Sequence, residues 1–356
     1  MRTLKSILTT AIVLLSTALL GITAEAAGGY SISPELPDNQ IPETHGFFDL
    51  YVSAGDQQIT MFIVNDNDFE ATFEINHFAV STNMNGVLDY TAPAIADESL
   101  KYNFADIASL GVDSKVTVPA NTSLPVTLNL NIPQGGFDGV VLGAVHFLRD
   151  ATEEELDNSG MFVNRFAHVM IVRLQERGAA EVAPDFMLGD VRAETINYTA
   201  AIVAELRNPM PRLSMGAKVS AEIFASDYDA PIFSVTDMDV DFAPNTVFPL
   251  TISDEAGYGL HPGDYLGKFK ITFDDRTWEF EREFHIAPTT AAEVNAAALN
   301  QVNHVPQYAT EKTIIYIFIG AGILLATLII TFVAVRGRKS YKRDLERLHE
   351  AVQYSK

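Results

Sequence analysis

Cysteine is absent from all 356 residues. That excludes disulfide staples, thiol nucleophiles and Cys-based metal sites, so each exported domain must be large enough to hold a core by burial alone. Basic side chains are scarce too: 24 Lys and Arg against 46 Asp and Glu give a formal net charge of -22. So acidic a chain does not gather nucleic acid or anionic lipid by long-range attraction, and its charge serves solubility. Catalytic signatures are also missing. The eight histidines (His45, His77, His146, His168, His261, His285, His304 and His349) form no HxH or HExxH pattern. No G-x-S-x-G elbow, phosphate-cradling glycine loop or S-x-x-K motif occurs. His77, His146 and His168 fall inside strand patterns and read as structural side chains.

Residues 1–27 read as a secretory signal: Arg2 and Lys5, then "ILTTAIVLLSTALLG", then the small-residue site Ala24-Glu25-Ala26. A second apolar run, "IIYIFIGAGILLATLIITFVAV" (314–335), carries no charge and suffices for a helix across a bilayer core of roughly 30 Å. The basic "RGRKSYKR" after it assigns residues 336–356 to the cytoplasm. The expected localisation is the plasma membrane, single-pass, with the N-terminal region outside, in the envelope of a single-membrane bacterium.

Between the two apolar runs the dominant signal is alternation with period two, the mark of half-buried strands. "QITMFIVND" puts Ile59, Met61 and Ile63 on one face, and "VTLNLNIP" does the same for Leu128, Leu130 and Ile132. "GKFKITF" repeats it with Phe269, Ile271 and Phe273, and "WEFEREFHI" with Trp278, Phe280, Phe284 and Ile286. The expected fold class is all-β: two consecutive immunoglobulin-like β-sandwich domains at 28–178 and 179–288, with an alternative boundary near 150. The acidic stretch from Asp150 to Gly160 then reads as a hairpin loop within the first domain. A stalk, helical in part, is expected at 289–313, since "TTAAEVNAAALNQVNHVPQYATEKT" is rich in alanine and poor in large apolar side chains.

Two stretches invite a metal reading. In "STNMNGVLDY" (81–90), Ser81, Asn83, Asn85 and Gly86 fall on EF-hand positions, but position twelve holds Ala92, and position one lacks an acid. Asn85-Gly86 instead signals a hairpin with a type I′ turn. Asp237, Asp239 and Asp241 in "SVTDMDVDF" share a strand face, as solvated carboxylates or as a cation site, and are the only carboxylates an envelope enzyme acting on wall polymers would use. No catalytic residue, cofactor or metal is expected.

Several segments occur in the order seen in WxL-interacting proteins, and the chain resembles that family. They are "YSISPELPDNQ", "FFDLYVSAGDQQ", "TNMNGVLDY", "SLKYNFADI", "VTVPA" and "FDGVVLGAVHF", then "AHVMIVRL", "AAIVAELRNPMP", "APNTVFPLTI", "LHPGDYLGKFKITF" and "WEFEREFHI". The resemblance implies a Gram-positive cell wall around the N-terminal region, a peptidoglycan-binding first domain and a second domain described as host-binding, with secreted WxL-domain surface proteins as partners and a host extracellular ligand as a further one. A non-enzymatic surface adaptor is the expected function, with a strand-donating surface chaperone as another alternative. Glycan contact needs amides and carboxylates beside an aromatic ring, which Asp38, Asn39, Gln40, Asn83, Asn85, Asp89 and Tyr90 offer. The same residue types also build turns.

Overall fold

The computed structural model describes residues 29–152, 165–226, 229–253 and 259–298. The expected signal (1–27), membrane span (314–335) and tail (336–356) lie outside the described residues. Within them no helix is long and apolar enough to cross a membrane.

The described chain is mostly β-sheet. In the first unit one sheet has the order β1 (Tyr30–Glu35), β3 (Gly55–Asn65), β9 (Thr122–Ile132), β7 (Ala108–Leu110). The other runs β2 (Phe48–Val52), β11 (Ala167–Glu176), β10 (Val140–Arg149), β4 (Ala71–Ala79), β8 (Lys115–Val118). The alternating residues read from the sequence face one shared core: Ile59, Met61 and Ile63 of β3 lie there with Leu128, Leu130 and Ile132 of β9 and with Phe73, Phe147 and Val172 of the facing sheet. On the wet side, Gln58 donates to Asn129 (2.9 Å) and Asn131 to Asp56 (2.8 Å), pairs that fix the β3–β9 register. The core is closed at one end by α1 (Phe104–Ile107), capped by Asn103. Its buried Phe104 ring lies on Gly143, where a Cβ would come within 2.0 Å of the ring.

Strand β11 is antiparallel to β10 and parallel to β2, so it lies inside the first unit's sheet. The β10–β11 connection carries the acidic stretch, and residues 153–164 of that connection are outside the described set. The buried carboxylate of Asp49 on β2 fastens this arrangement. It accepts from the Arg173 guanidinium of β11 (Nε at 2.7 Å), from Thr44 Oγ1 at 3.0 Å and from Gln175 Nε2 at 3.3 Å.

The second unit pairs β12 (Met187–Ile196), β13 (Thr199–Asn208) and β16 (Thr246–Ser253) in one sheet. The other holds β15 (Phe233–Phe242), β14 (Ser214–Ala225), β17 (Gly263–Phe273) and β18 (Arg276–Ile286). Both contribute to a second core around Phe242, Phe248, Phe269 and Ile271. In β18 only Ile286 of the four expected apolar residues is buried. Trp278, Phe280 and Phe284 are half-buried because β18 is an edge strand.

One expectation changes here. Residues 289–297, assigned to the stalk, form α2 (Pro288–Ala297) and belong to the second unit. Ala291 and Val294 are buried in its core, Thr195 donates to the Val294 carbonyl (3.1 Å), and Asn295 exchanges hydrogen bonds with Leu260 (2.8 and 2.7 Å). Small side chains were read as unable to bury much, yet alanine lets a helix backbone come close to a sheet.

The two units also repeat one device. Asn65, at the end of β3, donates from Nδ2 to the carbonyl of Val118 (3.1 Å), and Asn208, at the end of β13, does so to Ala243 (2.8 Å). In each case the acceptor precedes a proline, and an asparagine with positive φ follows: Asn121 (51°) and Asn245 (50°). The next threonine donates back, Thr122 to Pro119 (2.8 Å) and Thr246 to Ala243 (2.9 Å). The matching sequences are "NTSLPVTL" (121–128) and "NTVFPLTI" (245–252).

Candidate functional site: the junction of the two units

The stretch "STNMNGVLDY" forms β5 (Ser81–Thr82) and β6 (Leu88–Asp89), a hairpin as expected. Its turn differs from the expected type I′. Gly86 is left-handed (φ +77°) but Asn85 is not. Instead Gly86 N–H donates to the Asn83 carbonyl and Asn83 N–H to the Val87 carbonyl, both at 2.9 Å, which closes a three-residue loop. The cause is the Asn83 side chain, whose Oδ1 accepts from the Asn85 N–H (2.9 Å) and starts the turn earlier.

The hairpin grips the second unit. Asp241 N–H donates to the Gly86 carbonyl (2.7 Å), Thr82 Oγ1 donates to the Asp241 carbonyl (2.7 Å), and Ala243 N–H donates to Thr82 Oγ1 (3.0 Å). A Cβ on Gly86 would meet the Asp239 carbonyl at 2.6 Å, so glycine is required for this approach. Beneath the hairpin, Phe78, Val80, Leu142 and Ala144 form a third apolar cluster, with Leu88, Tyr90 and Leu213 packed on it.

The segment after the hairpin covers the free edge of β16. Ala96 bridges Thr246, the Ile95 carbonyl accepts from Val247 (3.1 Å), and Asp97 N–H donates to the Asn245 carbonyl (2.9 Å). Arg207 of β13 donates to the buried Asp97 carboxylate from Nε (2.5 Å) and Nη2 (3.1 Å), and to Glu98 at 2.6 Å. Burial works against the Asp97 charge, but hydrogen bonds from Arg207 and Ser99 outweigh it and hold its pKa below the usual carboxylate range. The same carboxylates raise the pKa of Arg207. On the other flank Val140 N–H donates to the Pro211 carbonyl (2.8 Å).

Between these contacts lies a cleft of about 390 Å³, lined from both units. Its floor includes Leu100, Phe104, Phe137 and Pro211, and Lys101, Tyr102, Asp138, Glu176 and Asn245 supply polar groups. The lip at Gly136-Phe137 is held by Glu176, whose Oε1 accepts from Phe137 N–H (3.2 Å).

The seven residues expected to contact glycan are placed as follows. Asn39 pairs with Gln57 (3.1 and 3.0 Å) and donates to the Tyr51 carbonyl (2.7 Å). Gln40 donates to Thr44 and Phe47 carbonyls and accepts from Asp49 N–H. Asn83 builds the hairpin loop, and Asp89 accepts from Thr91 N–H and Oγ1 (2.8 and 2.7 Å). Tyr90 is half-buried at the junction, where burial and then the Asp241 charge push its hydroxyl pKa up. Asp38 and Asn85 are exposed. No hydrogen bond joins the 38–40 set to the 83–90 set among the described residues.

The strand-face carboxylates have separate partners: Asp239 pairs with Lys218 (2.5 Å), Asp241 accepts from Gly216 N–H (2.8 Å), and Asp237 sits with positive φ (49°) against Ser220. Among the described residues no three His, Asp or Glu side chains form a metal-holding group. His77 meets the Ala108 carbonyl (2.9 Å), and burial lowers the pKa of His146 and His168. The junction itself was missed from sequence. Of the repeated N-T-x-[LF]-P segment only the second copy lies under residues 95–99, so the repeat marks matching positions in the two units but not the junction.

Fold and junction together define an all-β protein of two docked units. The model of the WxL Interacting Protein peptidoglycan binding domain matches residues 30–149, and that of the WxL Interacting Protein host binding domain matches 158–296. The chain belongs to the WxL-interacting protein family. The second match begins ahead of β11, although β11 hydrogen-bonds into the first unit. No curated protein matches the sequence. Similar solved structures include the Pseudomonas aeruginosa CupB2 chaperone (11% identity, 65% of this chain and 93% of that one, TM-score 0.25). They also include the E. coli chaperone DraB (11%, 72% and 98%, TM-score 0.27) and the periplasmic chaperone SfaE (8%, 72% and 100%, TM-score 0.28). Superpositions this loose carry no argument.

Proposed function

We propose that this chain is a membrane-anchored, non-enzymatic adaptor of the Gram-positive cell surface, built on two immunoglobulin-like β-sandwiches. The first binds peptidoglycan, and the second binds a protein partner, a secreted WxL-domain surface protein, with a host ligand secondary. The observation that carries the reading is the pair of family matches, one to a peptidoglycan-binding and one to a host-binding domain, over two units that are docked on each other. The apolar run 314–335 and the basic residues after it support the anchor. Of the seven candidate glycan contacts, Asp38 and Asn85 have exposed side chains that make no hydrogen bond among the described residues.

Chain geometry argues for a bacterial partner. With α2 packed on the second unit, only about 16 residues separate its end from the apolar run, a reach of at most about 58 Å. That is shorter than the roughly 90 Å allowed by a fully extended 25-residue stalk. The second unit therefore works close to the membrane and beneath the wall's outer surface. Crosslinking on intact cells, with identification of the captured proteins, is expected to return a WxL-domain surface protein as the main partner. A host matrix protein as the dominant partner would overturn this assignment.

A further inference from the structure

The cleft between the units has a composition that a glycan strand does not call for. Lys101 has no carboxylate partner among the described residues, and its Nζ lies 4.8 Å from the centroid of the Tyr102 ring. Asp138, exposed on the lip, has no cationic partner among them. Asn245 spends its Nδ2 on Ser99 and Pro209, both at 2.9 Å, while its Oδ1 accepts from no described residue. Tyr102 and Phe137 stand 6.2 Å apart over an apolar floor. The volume, about 390 Å³, falls in the range of small-ligand clefts, and clefts of this kind favour domain interfaces. The lip is already fixed by Glu176, so little ordering cost is left for binding.

A cation and an anion that line one cleft without an oppositely charged partner among the described residues complement a ligand that carries both a carboxylate and an amine. An N-acetylated glycan strand is neutral along its sugars. The short peptide attached to it carries free carboxylates and a diamino acid, and its small side chains suit the floor. We propose that the junction cleft binds the peptide stem of peptidoglycan, with Lys101 receiving a carboxylate, Asp138 an ammonium group and Asn245 Oδ1 a peptide N–H. This rests on the peptidoglycan-binding reading above and places that activity in a site that needs both units.

The test is calorimetric titration of the purified full-length chain in mild detergent. One ligand is a synthetic peptide of alternating L and D residues with one diamino acid and a free C-terminal carboxylate; the other is the N-acetylated disaccharide without peptide. Retention on insoluble peptidoglycan is measured in parallel. The peptide is expected to bind and the disaccharide to give no heat. Lys101→Glu and Asp138→Lys, both at exposed positions, should each weaken peptide binding about tenfold or more while melting like the parent. Binding of the disaccharide without the peptide, or charge variants with parental affinity, would overturn the site. Retention on insoluble peptidoglycan that survives both variants would place the site elsewhere and leave the broader reading standing. No retention of the parent chain would defeat both.

Discussion

At the residue scale, Asp97 and Arg207 decide whether the junction holds. Asp97 has no exposed side-chain surface and Arg207 keeps 19%. Removing the guanidinium leaves a buried carboxylate unpaired, a change that costs about 3 kcal/mol, at the low end because Arg207 is not fully buried. Urea denaturation of Arg207→Ala is expected to show a loss of that size. The lowered pKa of Asp97 also sets a pH dependence. A carboxyl with a depressed folded-state pKa contributes stability above its unfolded value of about 3.9, and that stability is lost as pH falls through the folded value. Acid titration of the melting temperature should therefore be shallower for Asp97→Asn than for the parent below about pH 4. An equal acid slope would show that Asp97 is not ionised at the junction. Asn83 and Gly86 show how far single residues could be read. The hairpin was legible from Asn85-Gly86, but its turn type was set by the Asn83 side chain, and its role by a backbone contact with residue 241, far away in sequence.

At the element scale, period-two alternation made the strands of both units legible, because a half-buried strand must alternate. Sheet order was not legible. β11 pairs with a strand more than a hundred residues earlier, in parallel, and nothing local to "AHVMIVRL" encodes β2 as its neighbour. The docking of α2 on the second unit was hidden for the converse reason: its buried residues are alanine and valine, which carry little hydropathy signal. The position of β11 predicts where the chain can be cut. Residues 29–157 lack β11, which leaves β10 and β2 with open edges and removes Met170, Val172 and Leu174 from the first core. That fragment is expected to show no cooperative melting transition, whereas residues 29–178 retain the complete sheet and should melt cooperatively. A cooperative 29–157 would mean that the matched boundaries near 150 mark an independent unit.

At the scale of the whole molecule, the repeated asparagine–proline device indicates two versions of one unit. In the second unit the device is capped by residues of the first; in the first, Asn121 and Thr122 are exposed. Docking of this kind joins the two units, so the wall attachment proposed for the first would also position the second. Charge reinforces the choice of ligand and partner, since a chain of -22 is not drawn to anionic polymers by long-range attraction and must bind through short-range, shaped contacts. Co-sedimentation of the purified full-length chain with insoluble peptidoglycan, across a salt series, tests this most directly. Retention that weakens but persists at high salt is expected, because salt screens the exposed Lys101 and Asp138 but not the apolar and hydrogen-bonded contacts of the cleft. Failure to sediment with the wall polymer, or release at modest salt, would contradict a wall-binding adaptor.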